Sequence, residues 1–357
     1  MSNTGPEGTV RSADLGGGGA GLRPAGAGAG RKPVRVAVDA MGSDRGARAV
    51  IEGAHAAASD EVVPVVFGAA GLDTGDLELV ATTQVVGMDE KPADAFRTKA
   101  DSSLVRAVKA VADGEADAVV SPGNTGAMLA AGLVHLRRVP GVRRPAIAVP
   151  IPARKGPSVL LDAGANADCR AEHLLQFATM GAVFAEEILG IARPSVRLLS
   201  IGEEPEKGNQ LTLEAHELLA ASDLDFRGNA EGRDVLEGAA DVLVTDGFTG
   251  NVALKAVEGT VRTLLDSLRE EITASTSGTL GGFLIRPAAR RLRKRLDPDT
   301  YGGAYLLGLR GLVVIAHGNS SPTAIANAIR LAARGVDHDV VGRLAVRLPQ
   351  SQRAEIV

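Results

Sequence analysis

Val34-Arg35-Val36-Ala37-Val38 runs without a break into Asp39-Ala40-Met41-Gly42-Ser43-Asp44. The first five residues are mostly β-branched and favour extended backbone; the next six carry Asp, Gly and Ser, which favour turns. The segment reads as a strand that stops in a polar loop. The same junction recurs. Val119-Val120 runs into Ser121-Pro122-Gly123-Asn124-Thr125-Gly126, and Leu160-Leu161 into Asp162-Ala163-Gly164-Ala165-Asn166. Leu198-Leu199-Ser200-Ile201 leads to Gly202-Glu203-Glu204 and then Lys207-Gly208-Asn209. Val242-Leu243-Val244 leads to Thr245-Asp246-Gly247-Phe248-Thr249-Gly250-Asn251, and Ile315-Ala316 to His317-Gly318-Asn319. These strands are apolar throughout rather than alternating, which predicts burial on both faces in a parallel sheet. Helical patterns fill the gaps over 45–58, 102–113, 125–136 and about 171–189, with further strands at 62–67 and 146–150. The expected class is α/β: three layers, α/β/α, around a mostly parallel sheet whose last strand is 312–316.

Working outward, the composition changes sharply at Val34. Residues 1–31 hold ten glycines and almost no large apolar side chains, so residues 1–33 are expected to form a disordered Gly/Ala-rich tail. Gly16, Gly18 and Gly21 fit G-x-G-x-x-G there, but with no strand before and no helix after, the match does not predict a dinucleotide site. The 357-residue chain carries 39 basic and 43 acidic residues, a net charge of -4, which argues against a nucleic-acid partner. Its one cysteine, Cys169, rules out an internal disulfide and a Cys-based zinc site and points to a reducing, cytoplasmic setting. No apolar run reaches the roughly 18 residues of a spanning helix.

Six strand ends rich in Gly, Asn, Asp, Ser and Thr suit a small anion, because ligands of open α/β sheets bind at carboxyl ends of strands and helix starts offer free N–H groups. The same residues also serve as ordinary turns and caps. Lys207 can set a compact charge beside an anion or a developing oxyanion, or be a solvated loop lysine. His317 reads as a ligand contact or a loop brace. The other histidines show no pairing at metal-ligand spacing, so no metal site is expected, and no G-x-S-x-G elbow occurs. Nothing near Cys169 supplies the base a nucleophilic thiol needs.

Together and in order, the junction loops resemble the bacterial phosphate acyltransferase family, the acyl-ACP:phosphate acyltransferases. Arg144-Pro145-Ala146, Gly228-Asn229-Ala230-Glu231-Gly232-Arg233-Asp234, Val252-Ala253-Leu254-Lys255, Tyr301-Gly302-Gly303-Ala304 and Leu307-Gly308-Leu309 complete the match, which covers about residues 34–333. Ser43, Pro122 and Asn319 depart from the family's usual Gly, Ala and Ser; Pro122 removes one N–H from a candidate anion loop. The resemblance implies one phosphate acyltransferase domain over 34–350, with a fold like isocitrate and isopropylmalate dehydrogenases and phosphate acetyltransferases. It implies a homodimer with no cofactor. The implied reaction transfers a long acyl chain from acyl carrier protein to inorganic phosphate, giving acyl phosphate for a membrane glycerol-3-phosphate acyltransferase of phospholipid synthesis. Carried onto this chain, the match implies Lys207, Asn251 and Asp246 as catalytic residues, with Asp246 orienting Lys207 or an Asn. It implies phosphate or substrate contacts from Asn124, Thr125, Gly126, Asn166, Asn209, Asn229 and His317.

Residues 260–300 differ from the rest. A helix carries Leu264, Leu265 and Leu268, an apolar loop is expected over 280–285, and six cations fall within residues 286–295. The expected product is a protruding segment in which Phe283, Leu284 and Ile285 with Arg290, Arg291 and Lys294 meet an anionic membrane surface or the acidic face of the carrier protein. The protein is then peripherally membrane-associated. A solvated helix at a dimer edge fits the same pattern. Three other functions remain open to the same residues: a metal- and NAD-dependent β-decarboxylating dehydrogenase, whose Asp and Arg ligand pattern the sequence lacks; a short-chain CoA-dependent phosphate acyltransferase, which the basic segment disfavours; and a scaffold for membrane lipid enzymes.

Overall fold

A computed structural model describes residues 32–348. The expected tail up to residue 31, its glycine motif and the last two residues of the 34–350 span lie outside the described residues. The chain alternates β1 (Val34–Asp39), α1 (Ala47–Ala57), β2 (Val62–Ala69), β3 (Glu78–Thr82), α2 (Pro92–Thr98), α3 (Ser103–Ala112), β4 (Ala118–Ser121) and α4 (Thr125–Ala131). It continues through β5 (Ala146–Ala153), β6 (Gly156–Leu161), α5 (Ala171–Leu189), β7 (Ser195–Leu199), α6 (Gln210–Ala220), β8 (Asp225–Ala230), α7 (Asp234–Glu237) and β9 (Val242–Val244). A long hairpin follows, α8 (Gly247–Thr273) and α9 (Thr276–Leu296), then β10 (Ala304–Leu307), β11 (Leu312–Ile315), α10 (Pro322–Asp337) and α11 (Val340–Arg347).

One eleven-stranded sheet has the order β3-β2-β1-β4-β11-β10-β5-β6-β9-β7-β8. Alternation along β1 separates the two cores. Val36 and Val38 face a cluster with Val50, Phe177, Phe184 and Ile325 from α1, α5 and α10. Ala37 faces a cluster with Leu104, Val108, Met128 and Leu254 from α3, α4 and α8. The structure is therefore a three-layer α/β/α arrangement with a mostly parallel sheet.

Strand direction changes in the middle. β11 pairs antiparallel with β10, β10 antiparallel with β5, and β5 antiparallel with β6. On either side pairing is parallel: β3, β2, β1, β4 and β11 share one direction, and β6, β9, β7 and β8 the other. The carboxyl ends of β1, β4 and β11 therefore leave one edge of the sheet, and those of β6, β9 and β7 leave the opposite edge. The six polar loops do not converge on a single edge.

Three local expectations are corrected. The strands β3, β8 and β10 carry no long apolar run: β8 reads Asp-Phe-Arg-Gly-Asn-Ala and lies at the sheet margin. The helix expected over 125–136 changes at Gly132 into a π turn, Gly132–Leu136, where a side chain on Gly132 would strike Leu309 Cδ1 at 2.6 Å. Residues 280–285 are no loop but the middle of α9. Gly281 and Gly282 suggested a break; Gly282 instead admits Ile272 of α8, whose Cγ2 lies 2.6 Å from where a Cβ would stand. α9 buries no residue in the body and packs on α8.

α8 is seated by a glycine. A Cβ on Gly250 would stand 1.9 Å from the Asp162 carbonyl oxygen, and neither atom can rotate away, because Cβ is fixed by the helix backbone and the oxygen is main chain. Gly250→Ala is expected to destabilise the protein by about 3 kcal/mol, read as a lowered urea midpoint at unchanged slope.

Candidate active site

The first edge is built on Asp39. Its Oδ2 accepts from Ser121 Oγ at 2.7 Å and its Oδ1 from Met41 N at 3.1 Å. Burial pushes this carboxyl upward, against the pull of these bonds. The loops after β1 and β4 touch: a Cβ on Gly42 would stand 2.5 Å from Gly123 Cα. Asp44 N donates to Gly318 O at 2.8 Å, which adds the β11 loop. Asn124 is fully engaged. Its side-chain oxygen caps α4 through Ala127 N at 2.9 Å, and its amide nitrogen donates to the carbonyls of Gly87, Met88 and Glu90 at 3.1–3.3 Å. Thr125 is exposed, and Gly126 sits against Pro92. The first edge thus uses its Asn and Asp side chains to hold loops together.

The second edge is organised by Asp162, which is fully buried. Oδ1 accepts from the backbone N–H of Ile147, Gly164 and Ala165 at 2.9–3.2 Å, and Oδ2 from the backbone and side chain of Asn166 at 2.7 and 2.8 Å. Burial raises this carboxyl and the hydrogen bonds oppose it. Asn166 also donates to Pro145 O at 2.7 Å, so its amide is internal. Its carbonyl accepts from Gly247 N at 2.8 Å, which ties the start of α8 to this loop. Asp246 caps α8, accepting from Thr249 N and Oγ1 at 2.9 and 2.7 Å. Among the described residues no ion pair joins Asp246 to Lys207; the carboxylate caps α8.

What remains free is narrower than the sequence suggested. Asn251 lies over Gly164: its side-chain carbons and oxygen are 3.6–3.7 Å from where a Cβ of Gly164 would be. That glycine has φ +135°, a conformation disfavoured for residues with a side chain. Among the described residues Asn251 and Lys207 make no side-chain hydrogen bond, and Lys207 makes no ion pair. They leave the ends of β9 and β7, which are neighbours in the sheet with Leu198 opposite Val244. Asn209 caps α6 through Thr212 N at 2.9 Å. Asn229 is buried, donating to Glu204 O at 2.8 Å and meeting His216 Nδ1 at 2.9 Å; it braces the Lys207 loop. His317 lies on the first edge, with Nε2 3.7 Å from Glu258 Oε1 on α8, and Lys255 Nζ meets Glu258 Oε2 at 2.8 Å.

Cys169 is not set up as a nucleophile. Burial first, and then the Asp162 charge, push its thiol up to about 12. Arg144, a cation the sequence reading did not place in the site, acts electrostatically on Cys169 and His173 from this edge and makes no ion pair among the described residues. Its only signal was the Arg-Pro pair before β5. Among the described residues no three His, Cys, Asp or Glu side chains could hold a metal ion.

Two uncommitted polar groups, an ammonium in the loop after β7 and an amide in the first turns of α8 after β9, thus follow neighbouring strands of an α/β sheet, a layout suited to an anion and a polarised carbonyl. The fold class is that of the phosphotransacetylases. One from Streptococcus pyogenes matches with TM-score 0.56 at 20% identity, over 85% of this chain and 94% of its own. The EutD phosphotransacetylase from Staphylococcus aureus gives 0.53 at 17% identity, over 85% and 94%. Sequence goes further. The family model described as fatty acid synthesis protein matches residues 34–343. Proteins named phosphate acyltransferase from Heliobacterium modesticaldum and Desulforudis audaxviator are 44% and 46% identical, over 88% and 87% of this chain and 98% and 95% of theirs. The chain belongs to this family of phosphate acyltransferases, and it is an enzyme.

Asp162→Asn tests the hub. An amide would aim its own N–H groups at donors that now meet a carboxylate oxygen. The expected loss is about 3 kcal/mol of stability in urea unfolding, with part of the site lost as the Gly164–Asn166 loop loosens.

Proposed function

We propose that this enzyme transfers a long acyl chain from acyl carrier protein to inorganic phosphate by direct attack. A phosphate oxygen bonds to the thioester carbonyl carbon, the C–S bond breaks, and the carrier thiolate takes a proton from water. The products are acyl phosphate and free carrier protein. Phosphate is already a nucleophile and a thioester is already activated, so positioning and charge stabilisation are sufficient. The observation that carries the reading is a free Lys207 ammonium after β7 and a free Asn251 amide at the start of α8 after the neighbouring β9, in a chain of the phosphate acyltransferase family. Lys207 neutralises phosphate and the growing oxyanion; Asn251 donates to the carbonyl oxygen. Arg144 adds positive potential at the same edge.

The α8–α9 hairpin supports a second part of the proposal. Leu280, Phe283 and Leu284 are each about 70% exposed, and Arg290, Arg291 and Lys294 follow on the same helix. This combination suits the anionic surface of a membrane. No helix among the described residues is long and apolar enough to cross one. A homodimer resting on the membrane would hand acyl phosphate to a membrane glycerol-3-phosphate acyltransferase for phospholipid synthesis.

The test is release of carrier thiol from a long-chain acyl carrier protein with and without phosphate, with hydroxylamine trapping of the product. Phosphate-dependent release with trapped acyl phosphate is expected; equal release without phosphate, or activity with acyl-CoA alone, overturns the donor assignment. Lys207→Ala and Asn251→Ala are each expected to lower kcat/KM about 100-fold or more. Separately, charge reversal at Arg290, Arg291 and Lys294 should abolish cosedimentation with phosphatidylglycerol vesicles and leave turnover of soluble substrate within about twofold.

A further inference from the structure

Three large apolar side chains at the second edge are left in solvent. Ile201 is 81% exposed, Phe248 66% and Val252 53%. Isolated exposed apolar residues are ordinary, but a cluster beside a site asks for an occupant. Phe248 and Val252 lie four residues apart in the first two turns of α8, hence on one face. Asn251 is three residues from Phe248 and adjacent to Val252, so the same face carries the free amide. Ile201 belongs to the neighbouring loop: it stands three residues past Leu198, and Phe248 four past Val244, and those two residues are paired across β7 and β9. The start of α8 thus combines one amide with two exposed apolar side chains, and a third, Ile201, follows the neighbouring strand.

We infer that Ile201, Phe248 and Val252 are specificity-determining residues that take the first carbons of the donor's acyl chain. This rests on the reading of Asn251 as the group that meets the thioester carbonyl. A carbonyl held at Asn251 must send its alkyl chain away along a neighbouring surface, and the exposed apolar surface next to that amide is supplied by these residues. Three side chains fall far short of the roughly 800 Å² per partner that a stable protein–protein contact buries, whereas a single alkyl chain needs only a few apolar neighbours. The chain's contribution grows with each methylene it covers, so these residues favour long donors over short ones.

The test uses the full-length protein. Phe248→Ala with Val252→Ser is expected to lower kcat/KM about tenfold for a sixteen-carbon acyl donor and less than twofold for a four-carbon donor. An equal loss on both donors overturns the inference, as does a change of oligomeric state in sedimentation, which would make the face a protein contact. A second readout is independent of turnover. The sequence contains no tryptophan, so Phe248→Trp provides a lone emitter. Decylphosphonate should shift its emission to the blue and ethylphosphonate should not; no shift with either, or the same shift with both, overturns the inference. If the wild-type enzyme makes no acyl phosphate from any donor, the proposed function fails, while the tryptophan signal still decides whether this face holds an alkyl chain.

Discussion

Three antiparallel ladders in the centre of the sheet, β11–β10, β10–β5 and β5–β6, set the direction of everything on either side. An odd number of reversals sends the two parallel blocks in opposite directions. Loops of one sequence type then end up on opposite edges. The reversal is held by packing as well as ladders. Tyr305 of β10 is fully buried and meets Phe184 of α5 edge-on, with ring centroids 5.0 Å apart, the favoured geometry for an aromatic pair. α5 thereby fastens the strand that reverses the sheet to the second block's helical layer. In a chain so poor in aromatics, this pair concentrates apolar contact where the sheet changes sense.

Much of the fold was legible because burial on both faces writes itself as uninterrupted apolar runs. The strand 118–121 and the helix 171–189 fall where those patterns place them. β10 was not legible. It is four residues long, and its pairing with β5, far earlier in the chain, leaves no local mark. Without β10 the reversal has no sign in the sequence, and six loops of one type look like one ligand face. α9 failed for the opposite reason. Two glycines look like a break, and only the partner helix pressing on Gly282 shows why they are there.

The candidate site was legible by residue type and not by commitment. Asn at a strand end can read a ligand, cap a helix or tie a loop, and this chain uses it to cap α6 and to tie the loops around Asp162. Asn124, Asn166 and Asn229 spend their amides on carbonyls within the protein. Asn251 does not, because Gly164 leaves no side chain beneath it to bond. The difference lies in the partner across space, which one sequence does not display. Buried amides of this kind are the support: each fixes a loop from which an uncommitted group projects, and rigidity in the support is what lets an exposed lysine act at a defined place.

α8 joins these levels into one argument. Its first turn is locked by Asp246 and by the seat of Gly250 on Asp162, and its third carries Leu254 into the core on the sheet face that Ala37 lines. Beyond that it leaves the body and continues to Thr273, about 33 Å from Asn251 at 1.5 Å per residue. One element therefore holds the amide of the site at one end and the hairpin at the other. Net charge says nothing of this arrangement. The whole chain is slightly acidic, yet screening confines each charge to about 10 Å at ordinary salt. A surface approaching α9 meets the local cations of residues 286–295 rather than the average of the molecule. The acidic total and the basic hairpin are thus compatible.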